Sequence, residues 1–179
     1  MPRTLRTARR APVALAALLA GSFALAACEK VTAPLEDPAA TTYAPSLRVN
    51  LAEMTRTPSR LYIQDLAVGS GTVADSGYTI TAYYAGWLTN GRQFDSNRNT
   101  GTPFGPIVLG TGQVIRGWDE GIKGMRVGGR RRLVVPPSLG YGGRTNGLIP
   151  AGSVLVFEID LVSATAPATT PATTPATGS

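Results

Sequence analysis

The sequence predicts an α+β domain in which a curved antiparallel sheet of five to six strands, a half-barrel, wraps around one short helix. Two stretches, 78–88 and 155–161, alternate apolar and polar residues, the period of strands that bury one face. Within the same region only 114–122 carries apolar residues at helical spacing. Charged residues make up 16% of the chain while Gly (21) and Pro (14) are abundant, which suits a turn-rich β domain and not a helical bundle. With one helix available, that helix must cover the inner face of the sheet.

The elements follow in chain order. Ser59 to Leu66 reads as a first strand, closed by the turn Gly69-Ser70-Gly71; Asp75-Ser76-Gly77 then turns the chain into a long second strand. There Tyr78, Ile80, Ala82, Tyr84, Gly86 and Leu88 share one face, and Thr79, Thr81 and Tyr83 lie on the other. Asn90-Gly91 predicts a hairpin through a type I′ turn, which needs positive φ at both central residues. Arg92 to Ser96 is the return strand, and a polar loop over 97–105 leads to the short strand Ile107-Val108-Leu109. The helix over Val114–Ile122 buries Trp118 and Ile122, spaced i,i+4, and turns Asp119 and Glu120 to water. Arg130 to Val135 forms the next strand, its three leading arginines read as solvated charge. Pro136-Pro137 ends that ladder and opens a loop to Gly152. The last strand turns Leu155, Phe157, Ile159 and Leu161 inward and Glu158 and Asp160 outward.

This domain spans 59–164 and holds 19 of the 21 glycines. Three other segments flank it. In 1–27, Arg3, Arg6, Arg9 and Arg10 precede an uncharged, Ala-rich run from Ala11 to Ala27, the pattern of a bacterial export signal and short for a membrane span. The run ends in Leu25-Ala26-Ala27-Cys28, which resembles the lipobox of bacterial lipoprotein precursors. That resemblance implies a lipid on Cys28 and attachment to a membrane of the cell envelope, facing the periplasm or exterior. The alternative is an ordinary cleaved signal with an incidental Cys28. Residues 28–58, with Pro34, Pro38, Pro45 and Pro58 and no sustained periodicity, read as a flexible tether with a turn or two of helix near 47–54. Residues 165–179 repeat Pro, Ala and Thr, bury almost nothing and read as a disordered tail.

Charge and residue types exclude several chemistries. The formal charge of +6 belongs mostly to the signal; from Cys28 onward 13 basic residues face 11 acidic ones, and no nucleic-acid partner is expected. Without His there is no Ser-His-Asp or Cys-His nucleophile and no imidazole for a metal. One Cys allows neither an internal disulfide nor a Cys-based zinc site. No metal and no cofactor are expected.

Four ordered motifs carry a more specific reading. Tyr83-Tyr84-Ala85-Gly86-Trp87-Leu88-Thr89-Asn90-Gly91-Arg92-Gln93-Phe94-Asp95-Ser96 and Val114-Ile115-Arg116-Gly117-Trp118-Asp119-Glu120-Gly121 resemble the two signatures of FKBP-type peptidyl-prolyl cis-trans isomerases. Pro136-Pro137-Ser138-Leu139-Gly140-Tyr141-Gly142, and Ile149-Pro150 followed by Val154 to Glu158, complete the set in family order. The resemblance covers essentially all of 59–164 and implies the half-barrel fold already read from periodicity.

It also implies an isomerase acting on X-Pro bonds of exported proteins, a reaction that needs no nucleophile, metal or proton transfer. Trp118 is then the floor under the proline ring, with Tyr84, Phe94, Phe104 and Phe157 as walls. Val114 and Ile115 line the rim, the Ile115 N–H donating to a substrate carbonyl, and Tyr141 donates to the carbonyl before proline. Asp95 is a largely buried carboxylate near Tyr84, and Ile149 closes the outer edge. The implied partners are proline-containing proteins or peptides and macrolide inhibitors, bound by a monomer. A non-catalytic module that holds Pro-containing segments, or a chaperone, is the alternative. Three departures touch detail: Thr100 stands where many members carry Arg, Pro106 and one extra residue fall between Phe104 and Gly110, and the loop 143–147 is about one residue short.

Overall fold

The structure, a computed structural model, describes residues 35–168; the export signal, Cys28 and the tail beyond 168 lie outside the described residues. Seven strands form one antiparallel sheet: β1 (Thr55–Arg56), β2 (Tyr62–Ala67), β3 (Thr79–Leu88), β4 (Gln93–Ser96), β5 (Phe104–Val108), β6 (Arg130–Val135) and β7 (Leu155–Thr165). Their order is β1-β2-β6-β7-β3-β4, with β5 also paired to β3. One α-helix, α1 (Arg116–Gly121), is present among the described residues. The half-barrel around a short helix is therefore observed, with β1 as the strand beyond the expected five to six.

β3 organises the sheet. It pairs with β7 from Thr79↔Thr165 to Leu88↔Leu155, while its other edge is divided between two partners. Ile80↔Ile107 joins its first half to β5, and Gly86↔Asp95 joins its second half to β4. Register shifts interrupt all three pairings, and such bulges bend and twist a strand, which curves the sheet toward the helix. On the concave side Ile80, Leu133, Leu155, Ile159 and Ile122 are fully buried, with Trp118 beside them. The helix can approach this closely because its sheet-facing positions are glycines. A Cβ on Gly117 would lie 2.5 Å from Val135 Cγ1.

Four expectations are corrected by the tertiary structure. The Asn90-Gly91 hairpin exists, but only Gly91 has positive φ (86°). Gly91 N donates to Leu88 O and Leu88 N donates to Arg92 O, each at 2.9 Å. This is a longer loop that ends in a left-handed glycine, a second solution compatible with strand twist, and not a type I′ turn. Arg131 and Arg132 are buried, not solvated. Arg131 grips Asp65 with two hydrogen bonds (2.7 and 3.0 Å) and donates to the carbonyls of Gly121 and Lys123, covering the otherwise unpaired C-terminal end of α1. Arg132 donates to Glu158 at 2.6 Å.

Asp119 and Glu120 also do not simply face water. Asp119 accepts from Gly110 N (2.8 Å) and Gly112 N (3.2 Å), and Glu120 accepts from Ser59 Oγ. Finally, residues 35–56 are not a free tether. Short 3-10 turns at Pro38–Ala40, Pro45–Leu47 and Leu51–Glu53 lead into β1, which pairs with β2. Leu47 and Met54 are buried with Tyr62, Val134, Val154 and Val156 in a second cluster. The physical cause is the outer face of β6 and β7, apolar at Val134 and Val156, which needs a cover that the inner helix cannot supply.

Candidate active site

The helix does not fill the whole concavity. An open cavity of about 450 Å³ remains between the start of α1, strands β3, β4, β5 and β7, and the loop after Pro137. Trp118 forms its floor at 4% exposure. Around it stand Tyr84 (ring centroids 5.0 Å apart, planes at 82°), Phe157 (5.6 Å, 86°) and Phe104 (6.0 Å, 90°). Phe94 closes on Phe157 at 5.5 Å and 84°. All are edge-to-face pairs, each contributing ~0.5–1.5 kcal/mol beyond buried area, so the walls hold one another in place. Phe104, at the mouth, is 40% exposed.

Gly86 makes this arrangement possible. It is paired across the sheet with Asp95 on one side and Phe157 on the other. A Cβ there would lie 2.6 Å from Phe94 Cζ and 2.8 Å from Phe157 Cε1. A glycine inside a strand that otherwise alternates cleanly is the signal that could have found it, since it marks close approach by another group.

The polar groups are few. Tyr84 Oη donates to Asp95 Oδ2 at 2.5 Å. Burial raises the Tyr84 phenol above the usual tyrosine range; the hydrogen bond to Asp95 and the Asp95 charge raise it further. Tyr84 therefore stays a neutral donor at physiological pH. Asp95 itself is exposed, contrary to the expected burial: β4 is the last strand of the sheet order and pairs only with β3 among the described residues. Ile115 immediately precedes α1, and its N–H has no partner among the described residues. The half-buried Tyr141 hydroxyl likewise has none. The Trp118 Nε1–H is buried with no partner among the described residues, a polar cost located at the site itself.

Residues 71–162 match the FKBP-type peptidyl-prolyl cis-trans isomerases. The chain belongs to this family. It is 48% identical over 103 residues to an FK506-binding protein of Neisseria meningitidis serogroup A, covering 57% of this chain and 94% of that protein. An FK506-binding protein of Streptomyces anulatus is 46% identical over 109 residues, covering 59% of this chain and 87% of the relative. Among solved structures, AtFKBP13 superposes with a TM-score of 0.56 at 41% identity, covering 62% of this chain and 98% of that one. FkpA from Escherichia coli superposes with the same score at 31% identity, covering 64% of this chain and 52% of that one.

In this FKBP-type isomerase the structure brings nine of the ten sequence-predicted pocket residues to the cavity. Ile149 is the exception: it is 5% exposed in the main core and does not line the cavity. A tight turn, closed by mutual hydrogen bonds of 2.9 Å between Asn146 and Ile149, folds it inward. Gln113 is the lining residue that sequence reading missed. Its Oε1 accepts from Val108 N at 2.9 Å, and Asp119 secures the preceding loop. No periodicity marks Gln113, because only the folding back of 110–112 brings it to the rim. The Thr100 hydroxyl is taken up by the carbonyls of Asn97 and Thr102 and makes no hydrogen bond to Asp95.

Proposed function

We propose that this isomerase accelerates rotation about X-Pro bonds in exported proteins, working in the bacterial cell envelope from a lipid anchor on Cys28. The observation that carries the catalytic reading is the aromatic cavity holding two donors, Ile115 N–H and Tyr141 Oη, that the fold leaves unpaired.

Rotation about an X-Pro amide faces a barrier of ~18–20 kcal/mol and takes tens to hundreds of seconds unaided. No covalent bond is made or broken. At the top of the barrier the amide has lost its resonance, so the carbonyl is less polar and the nitrogen pyramidal. A cavity that strips water from the planar, more polar amide favours the twisted form by comparison. The proline ring rests on Trp118 between Tyr84, Phe104 and Phe157, with Phe94 behind and Val114 at the rim. Ile115 N–H donates to a substrate carbonyl and Tyr141 to the carbonyl of the residue before proline, fixing the segment while the bond turns. Asp95 holds the Tyr84 phenol in place and lends its charge to the edge of the cavity.

Macrolides fit the same cavity and compete with peptide, and the enzyme acts as a monomer. The sequence of 1–28 supports the envelope location through its basic head, uncharged run and lipobox-like end.

A protease-coupled assay of the full chain on a short X-Pro peptide should show acceleration over the uncatalysed rate. No acceleration would leave a non-catalytic module that binds Pro-containing segments. Cys28→Ser should move the protein from the membrane to a soluble fraction, and unchanged membrane association would reject the lipid anchor.

A further inference from the structure

The sheet carries a second concavity on the face turned away from the aromatic cavity. Strand alternation sends Leu133 and Phe157 toward α1, and sends Arg132 and Glu158 to the opposite face. Residues 46–48 pass over that face, and between them and the sheet lies a groove of about 700 Å³, larger than the aromatic cavity.

Its lining is cationic but mixed. Arg48, Arg98, Arg130 and Arg132 contribute four guanidinium groups against the single carboxylate of Glu158. Asp160, which pairs with Arg98 and Arg130, offsets one more and still leaves positive charge in excess. The Arg132 side chain is 9% exposed, donates to Glu158 and to Arg48 O (2.7 Å), and keeps a buried Nε with no partner among the described residues. Arg98 Nε is likewise buried and unpartnered.

Arg48 forms the rim of this groove as the left-handed residue that ends the turn Pro45–Leu47. Its backbone is left-handed (φ 49°, ψ 37°), a conformation that costs a non-glycine residue energy and persists only where the surroundings enforce it. Two bonds enforce it: Arg48 N donates to Pro45 O at 3.1 Å, and Arg48 O accepts from Arg132. The exposed guanidinium so placed has no partner among the described residues. Beside it, Trp87, Val156 and the 38%-exposed Leu66 supply an apolar wall.

We infer that this groove binds an extended peptide segment that carries an acidic side chain next to an apolar one. The excess of guanidinium groups selects a carboxylate, which Arg holds through paired N–H donors. The apolar wall takes the neighbouring side chain. Glu158 and the Gln64 side-chain oxygen already accept from Arg132 and Arg98, and their remaining lone pairs suit the regularly spaced N–H groups of an extended peptide, which a bare phosphate diester group lacks. The groove is also recessed beneath residues 46–48, so a flat bilayer cannot reach Arg132. A segment bound there occupies the opposite face of the sheet from the X-Pro cavity, and the binding does not depend on isomerase activity.

The test is fluorescence anisotropy of the full chain with a labelled, proline-free peptide that alternates Glu with Leu and Ser. Saturable binding is expected, weakened about tenfold when Lys replaces Glu in the peptide. Arg48→Asn removes the unpaired charge while tolerating the left-handed backbone, and should also weaken binding about tenfold with X-Pro activity unchanged. Higher ionic strength should weaken binding as well. Failure of the Glu peptide to bind, or equal binding by the Lys peptide or by Arg48→Asn, would overturn the inference. Arg48-dependent sedimentation of the Cys28→Ser chain with phosphatidylglycerol vesicles, in the absence of peptide binding, would overturn it in favour of a headgroup site.

Discussion

Replacing Gly86 by Ala tests whether the close contact of two aromatic walls creates the cavity. The new Cβ would lie 2.6 Å from Phe94 Cζ and 2.8 Å from Phe157 Cε1. Carbon atoms in good contact sit ~3.5–4.0 Å apart, so the rings must retreat by about 1 Å. Overpacking of this kind costs ~1–3 kcal/mol. The strand φ of Gly86 is open to Ala, and the loss of freedom in the unfolded chain returns ~0.4–1 kcal/mol. At the middle of both ranges, ~2 against ~0.7 kcal/mol, destabilisation wins by about 1.3 kcal/mol, a drop in Tm of about 4–8 °C for a domain of this size. The effect on activity is larger in proportion, because a shift of about 1 Å at a site can reduce rate up to ~100-fold. We expect kcat/KM in the protease-coupled assay to fall about 10- to 100-fold at a temperature where circular dichroism shows the variant folded. An unchanged Tm would refute the steric argument. A lowered Tm with kcat/KM intact would refute the link between wall position and catalysis.

Arg131→Met removes the pair with Asp65 and uncovers the carbonyls of Gly121 and Lys123; urea unfolding should show a loss of ~2–4 kcal/mol. Leu47→Ala empties the outer-face cluster and should cost ~2–3 kcal/mol while leaving kcat/KM unaltered, which a combined melting and activity measurement resolves. Burial alone would raise the Glu158 pKa, but the hydrogen bonds and charges of Arg132 and Arg98 outweigh it and lower it. Its contribution to stability is therefore complete above the ordinary glutamate pKa of ~4.3 and lost as pH falls through the lowered folded value. Glu158→Gln should make the acid limb of a stability–pH curve shallower. Tyr84 titrates in the opposite sense: its raised pKa contributes stability below the ordinary tyrosine value of ~10 that is lost as pH climbs through the folded one. Tyr84→Phe should flatten the alkaline limb, and a limb as steep as in the parent would show that the fold does not hold the phenol in its neutral form.

Strands β2 to β7, the helix and the hairpin were legible because each depends on local periodicity or on one turn residue. Alternation at 78–88 and 155–161 requires one buried face, and Trp118 with Ile122 marks the buried side of α1. The aromatic residues of the cavity were legible from ordered motifs. What failed had a common cause. Arg131, Arg132, Asp119 and Glu120 are polar residues whose partners are distant in the chain or in a neighbouring loop, and polarity alone suggests water. Residues 35–56 have no period of their own and are ordered by an apolar surface that exists only once β6 and β7 are side by side.

By itself, then, the sequence determined the fold class, the absence of His chemistry and the aromatic side chains of the cavity. Only the tertiary structure decided which other side chains reach that cavity. It turned Ile149 inward, brought Gln113 to the rim, left Asp95 exposed on an edge strand and set four arginines around a groove on the outer face. The physical reason is range: periodicity and turn chemistry act over a few residues, whereas burial and ion pairing depend on which distant segments the folded sheet brings together.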